Sequence, residues 1–164
     1  MTLSGTKVLV TGAGGFIGSH LAEALVRDGA HVRAFLHYNS AGSTGWLRRS
    51  EVEGEIEPFF GDIADRDTVR RAFEGVEVAF HLAALIGIPY SYAAPASYIR
   101  TNVEGTLNAL EAAREKGIRR LVLTSTSEVY GTARRVPIDE SHPLCAQSPY
   151  AASKIAADKL GEAY

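Results

Sequence analysis

The sequence predicts an α/β domain, a parallel sheet doubly wound with helices, and three features point there. Short apolar runs of strand length alternate with longer stretches of helical period, as βαβ units require. The strand-like runs are rich in Val, Leu, Ile and Phe, the composition expected where helices cover both faces of a sheet. A glycine-rich turn follows the first of these runs directly.

The first strand falls at about Lys7–Thr11. Phe16–Asp28 sets Ile17, Leu21, Leu25 and Val26 on one stripe and is followed by Gly29, so it reads as the first crossover helix. Strands follow at His31–Leu36, Glu55–Phe60 and Val76–Phe80, with a short helix at Asp65–Phe73 before the last of them. The Ile86–Tyr92 stretch reads as a surface loop with aromatic anchors. Ala96–Lys116 reads as one long helix that Gly117 stops, and Arg120–Thr124 as the fifth strand. Pro149 stands where a first helical turn begins, so Ser148-Pro149-Tyr150 opens a last helix that runs to Tyr164. A right-handed crossover at each step gives the strand order 3-2-1-4-5.

With 164 residues, 46% hydrophobic and 22% charged, the chain can bury one sizeable core, and residues 1–164 are expected to form one domain. A net charge of -2 asks for neither nucleic acid nor a membrane surface. Cys145 is the single cysteine, which excludes an intrachain disulfide and a cysteine metal cluster, and fits a reducing cytoplasm. The five histidines lack metal-ligand spacing, so no metal is expected. The opening MTLSGTKVLVTGAGGF lacks the charge and apolar pattern of a secretory leader. No apolar run approaches the ~20 residues that span a bilayer.

After the first strand comes Thr11-Gly12-Ala13-Gly14-Gly15-Phe16-Ile17-Gly18. Gly12 permits the tight turn, Gly15 lets backbone approach a pyrophosphate, and Gly18 lets the helix pack close to the sheet; N–H groups at the helix start then face the phosphates. A turn serving packing alone is the bland alternative. Between a buried strand and an amphipathic helix, the pattern predicts a Rossmann-type site for a nicotinamide dinucleotide, NAD or NADP. An acid normally ends the second strand of NAD-preferring sites. Here Leu36 holds that position, followed by His37-Tyr38-Asn39, while Arg33 lies inside the strand and Arg48 and Arg49 in a loop. NAD is favoured, with NADP left open.

Four motifs stand in order: the glycine turn, Gly61-Asp62-Ile63, His81-Leu82-Ala83-Ala84, and Tyr150-Ala-Ala-Ser-Lys154. Together they resemble the extended short-chain dehydrogenase/reductase family over essentially the whole chain. The resemblance implies that Gly12, Gly15, Phe16, Ile17, Gly18, His37, Leu82 and Thr124 contact the dinucleotide, with Asp62 and Ile63 beside the adenine and Ala83 and Ala84 near the ribose. Without it, Asp62 reads as a loop N-cap and His81–Ala84 as a buried strand end. Tyr150 and Lys154 are four apart on a helix and so point from one face. A phenol is a poor base at neutral pH unless a neighbouring ammonium favours the phenolate; in the family the lysine also binds the nicotinamide ribose. Aligned on Val129-Tyr130-Gly131, Thr126 matches the family's hydroxyl residue that bonds the reacting sugar oxygen. Asn102 resembles its structural asparagine.

Glu128 stands two positions after that hydroxyl, where nucleotide-sugar 4,6-dehydratases place a glutamate and epimerases generally do not. A solvated loop carboxylate is the alternative. The resemblance implies that Tyr150 takes the C4 hydroxyl proton as the cofactor takes the C4 hydride. Glu128 then removes the C5 proton, the C6 hydroxyl leaves as water, and the hydride returns to C6. Ser127, counted with Ile86, Tyr92 and Thr126 as bordering the substrate, departs from the aspartate of the dTDP-glucose branch and matches the GDP-mannose branch better. Glu128 is therefore expected to act twice, as base and as acid.

The stretches Ala34–Ser40 with Gly45-Trp46-Leu47, His81–Tyr92 and Thr124–Ala133 resemble dehydratases of legionaminic-acid-type pathways. These act on a nucleotide-linked N-acetylglucosamine, here of the UDP or GDP type. A 4-epimerase is the runner-up, and a non-catalytic dinucleotide-binding module is the reading from another class. Family members run to about twice this length, so the substrate lobe is expected outside this chain, the chain alone is expected to turn over poorly, and the fifth strand is expected to form an edge. In that family the helices matching Ala96–Lys116 and Pro149–Tyr164 form a dimer-making bundle, so the resemblance implies a homodimer.

Overall fold

The computed structural model describes residues 3–164. Its centre is a five-stranded parallel sheet in the order β3-β2-β1-β4-β5, with β1 Lys7–Thr11, β2 His31–His37, β3 Glu57–Gly61, β4 Val78–His81 and β5 Arg120–Leu123. The predicted order holds, and each strand lies within two residues of its expected start. Strand alternation builds the two layers. Val8 and Val10 point to one face with Ala22, Leu25, Val32, Ala34 and Leu36, beneath α1 (Phe16–Arg27). Leu9 points to the other with Phe35, Val69, Phe73, Ala79, Ala109 and Ala112, beneath α2 (Arg66–Ala72) and α5 (Gly105–Lys116). Val8, Leu9 and Val10 are therefore all fully buried, which a central parallel strand needs and a one-sided sheet could not provide.

Two expectations are corrected. The Ile86–Tyr92 stretch is not a loop throughout: Gly87 caps α3 (Ile88–Ala93), and Pro89 sits in its first turn, where a missing N–H costs no helical bond. The long helix also is not uniform. It begins as α4 (Pro95–Tyr98), passes through a π-helical stretch at Ile99–Glu104, and continues as α5. Gly117, at φ +64°, ends it as expected. The last helix, α6 (Pro149–Ala163), starts at Ser148, whose hydroxyl accepts from the Ala151 N–H at 3.0 Å. β5 is an edge with alternating exposed and half-buried residues. No helix among the described residues is long and apolar enough to cross a membrane.

Arg33 shows how strand position overrides charge. Its guanidinium is buried, donating to the carbonyls of Ala72 at 2.7 Å and Glu74 at 2.9 Å and pairing with Glu57 at 2.9 Å. Arg33→Met would leave two carbonyls without their donor, a loss of about 2–3 kcal/mol. The melting temperature is expected to fall by roughly 5–10 °C; a calorimetric scan showing no change would contradict that role.

Candidate active site

A cavity of about 940 Å³ opens at the carboxyl edge of the sheet. Its floor is the glycine turn. Gly12 has φ +71°, and a Cβ there would stand 2.9 Å from the Ala83 nitrogen; a Cβ on Gly18 would stand 2.3 Å from the Gly12 carbonyl oxygen. Backbone thus packs on backbone with no room for a side chain. α1 begins at Gly15 without a side-chain cap, so the N–H groups of Phe16, Ile17 and Gly18 present the positive end of the helix to the cavity these residues line. This arrangement suits a diphosphate, and a dinucleotide fits the turn.

The opposite wall is held by a buried hydrogen-bond chain. Thr11 Oγ1 accepts from the Leu82 and Ala83 N–H groups, both at 3.1 Å, and bonds His81 Nδ1 at 2.8 Å. Thr106 donates its hydroxyl to the Asn102 carbonyl at 2.6 Å. His81 Nε2, 3.1 Å from Thr106 Oγ1, must then be the donor, and Nδ1 the acceptor from Thr11. Asn102 continues the chain: its amide donates to Ser153 Oγ and the Leu85 carbonyl, both at 2.9 Å, and its carbonyl accepts from the Leu85 N–H at 2.8 Å. Asn102 lies within the π-helical stretch, so the break in regular helix accompanies a side chain that ties the Leu82–Leu85 wall to α6.

Burial pushes the His81 imidazole down to about 3, with the Lys154 charge adding to the effect. The unfolded chain therefore takes up this proton first. Stability from His81 is complete above about pH 6.5 and is lost progressively as the pH falls toward 3. Urea midpoints at pH 7 and pH 5 are expected to differ more in the parent chain than in His81→Asn; equal differences would remove His81 from the account.

At the end of β2, Leu36 is in the core, and Phe35 and His37 are the strand's residues that line the cavity. The predicted absence of a β2 acid is matched by geometry: among the described residues, the cavity's carboxylates are Asp62 and Glu128. Asn39 is folded onto its own loop, with its side chain bonded to Ser43 and His37 backbone, and Arg33 is committed to the core. Asp62 and Ile63 leave β3 beside His37, and the Asp62 carboxylate accepts from the Ala64 N–H at 2.9 Å. Asp65, three residues on, is the N-cap of α2.

Leu82, Ala83, Ala84 and Ile86 line the cavity from the β4 side, and Thr124, Thr126 and Glu128 from the β5 side. Thr126 Oγ1 accepts from the Glu128 N–H at 3.3 Å, capping a 3-10 turn at Ser127–Tyr130. Its hydroxyl hydrogen remains available to donate. Tyr150 and Lys154 come from the first turns of α6, and both are buried yet line the cavity. Tyr98 meets the Tyr150 ring edge-on at 6.2 Å and donates to the Gly87 carbonyl at 2.6 Å. Lys154 Nζ donates to the Thr124 carbonyl at 2.6 Å. Burial lowers the Lys154 ammonium from the ordinary lysine range, and the Asp158 carboxylate opposes that shift.

Two predicted substrate residues are not brought to the cavity. Tyr92 lies on α3, where its hydroxyl donates to the Gln147 carbonyl at 2.9 Å and pins the segment before α6. Ser127 is exposed as the first residue of the 3-10 turn. Phe35, Gly61, Leu85, Ile88, Thr101 and Ser125 also line the cavity and were not singled out from sequence. Gly61 belongs to the Gly61-Asp62-Ile63 motif, and Phe35, Leu85, Ile88 and Ser125 fall within the stretches Ala34–Ser40, His81–Tyr92 and Thr124–Ala133; Thr101 carries no local signal and arrives through tertiary packing.

Comparison with known proteins agrees with this geometry. A family model described as GDP-mannose 4,6 dehydratase matches residues 9–164. A UDP-glucose 4-epimerase from Streptomyces lividans is 41% identical over 162 residues, covering 96% of this chain and 47% of that protein. A dTDP-glucose 4,6-dehydratase from Streptomyces antibioticus is 36% identical over 162 residues, covering 96% and 48%. The crystal structure of a dTDP-glucose 4,6-dehydratase from Streptomyces venezuelae, solved with NAD bound, superposes with a TM-score of 0.88 at 34% identity, covering 97% of this chain and 51% of that one. The chain spans about half the length of the curated relatives it matches.

Proposed function

Because the chain belongs to the extended short-chain dehydrogenase/reductase family of NAD-dependent epimerases and dehydratases, we propose that it carries the NAD-binding half and the proton-transfer residues of a nucleotide-sugar 4,6-dehydratase. The observation that supports dehydration is Glu128: its carboxylate shares one cavity with Thr126, Tyr150 and Lys154. The glycine turn would hold the diphosphate of NAD, with His37 and Asp62 toward its adenosine and Thr124 and Lys154 toward the nicotinamide, since all of these residues line the one cavity. Bound there, the nicotinamide supplies reversible hydride acceptance.

Tyr150, as the phenolate that the Lys154 ammonium favours, accepts the proton of the sugar C4 hydroxyl and leaves the step as the neutral phenol. Thr126 donates its hydroxyl hydrogen to the C4 oxygen and orients it. The resulting 4-ketone acidifies the C5 hydrogen, which Glu128 removes. Glu128 then returns a proton to the departing C6 hydroxyl. The substrate class is a UDP- or GDP-linked N-acetylglucosamine, and the helices at 95–116 and Pro149–Ala163 pair two copies into a homodimer.

A 4-epimerase is the second reading, supported by the Streptomyces lividans relative. Calorimetry of NAD on this chain tests the cofactor half. Mass spectrometry of nucleotide-sugar products, with this chain or any longer protein that carries it, separates the reactions: loss of one water supports dehydration, and an isomer of unchanged mass overturns it in favour of epimerisation.

A further inference from the structure

Two interleaved contacts join α6 to the carboxyl end of β5. Lys154 Nζ donates to the Thr124 carbonyl. Four residues along the helix, Asp158 Oδ2 accepts from the hydroxyl of Ser125, the residue after Thr124 in the segment that leaves β5, at 2.5 Å. Residues four apart on a helix share a face, so Asp158 stands one turn from a lysine that is only 8% exposed. Ser125 holds the carboxylate there.

The other ionisable groups near Lys154 do not supply this counter-charge. His81, from β4, is a neutral imidazole engaged at both nitrogens. Tyr150, one turn earlier on α6, is the proposed proton acceptor. Glu128, on the 3-10 turn, lines the same cavity but is solvent-exposed, where water and salt screen it. Asp158 does not line the cavity and cannot touch substrate from there.

We propose that Asp158 is a positioning residue, the counter-charge that keeps the buried Lys154 ammonium protonated beside Tyr150, and that Ser125 aims it. The catalytic importance of that charge rests on the reading above, whereas the charge relation itself can be measured without turnover. Burial alone favours the neutral amine. A half-buried carboxylate one helical turn away offsets part of that preference. The charge beside Tyr150 would therefore depend on a residue that contacts neither cofactor nor sugar.

The test follows the titration of Lys154 by NMR of isotopically labelled lysine in the 164-residue chain. Asp158→Asn removes the charge yet keeps an oxygen that accepts from Ser125; Ser125→Ala removes the bond yet keeps the charge. The Lys154 midpoint is expected to fall by about one pH unit in Asp158→Asn, to move by less than half as much in Ser125→Ala, and to recover in Asp158→Glu. The alkaline limit of NAD affinity should move with it. An unmoved midpoint in Asp158→Asn, or an equal fall in both variants, overturns the proposal. Asp158→Ser serves in the same way if the Asn variant does not fold. A parent chain that shows the shift but no heat with NAD would refute the functional reading and leave the charge relation intact.

Discussion

Glu128→Gln is expected to reduce formation of the 4-keto-6-deoxy sugar by roughly 10²–10⁴-fold, the usual scale for removing a general base, with NAD affinity unchanged. The substitution keeps size and polarity and removes only the capacity to take the C5 proton and return one to the C6 hydroxyl. Its backbone N–H, bonded to Thr126 Oγ1, is untouched, so Thr126 keeps its orientation. Product formation is read by mass spectrometry as loss of one water, and affinity by calorimetry. A variant that forms product at the parent rate would remove Glu128 from the chemistry. A variant that loses NAD affinity equally would make it a structural residue.

Gly12→Ala should lose NAD affinity by about 100-fold or more. Two effects act together. The φ of +71° strains an alanine by about 1–3 kcal/mol, and the new methyl meets the Ala83 nitrogen and the Leu82 carbonyl carbon, both at 2.9 Å. Those atoms cannot yield cheaply, because Thr11 Oγ1 holds both N–H groups of Leu82 and Ala83. The turn must move instead, and the N–H groups opening α1 move with it. Gly54→Ala is the control: its Cβ would meet nothing within 4 Å and its φ lies outside the left-handed region, so affinity should be unchanged. A folded Gly12→Ala chain that binds NAD within about threefold of the parent would show that the turn does not carry the diphosphate.

Of the architecture, the sheet was legible because its signals are local. Val8, Leu9 and Val10 form an unbroken apolar run, and a strand buried on both faces must read that way. Ser148-Pro149 announces α6 for an equally local reason. The break in the long helix was not legible. Ile99–Glu104 has ordinary helical composition, and its π geometry coincides with Asn102 reaching Leu85 and Ser153, residues 17 and 51 positions away.

The proposed proton-transfer residues were readable as spacing: Tyr150 and Lys154 one helical turn apart, Thr126 and Glu128 two residues apart on a turn. Tyr92 shows the limit. An aromatic residue in the Ile86–Tyr92 stretch suggested the sugar, but α3 and the Gln147 carbonyl claim its hydroxyl. Sequence cannot weigh such competition, because the partner lies 55 residues away.

What the sequence determined by itself was the alternation of elements, the strand order, the glycine turn and the residue types of the site, all of which depend on neighbours within a few positions and on the handedness of each crossover. Tertiary structure alone decided the neutral state of His81, the burial of Arg33, the diversion of Tyr92 and Ser127 from the cavity, and the pairing of Asp158 with Ser125. Each of these is set by which distant group reaches a polar atom once water has been excluded, and in a low-dielectric interior that single contact outweighs any local preference.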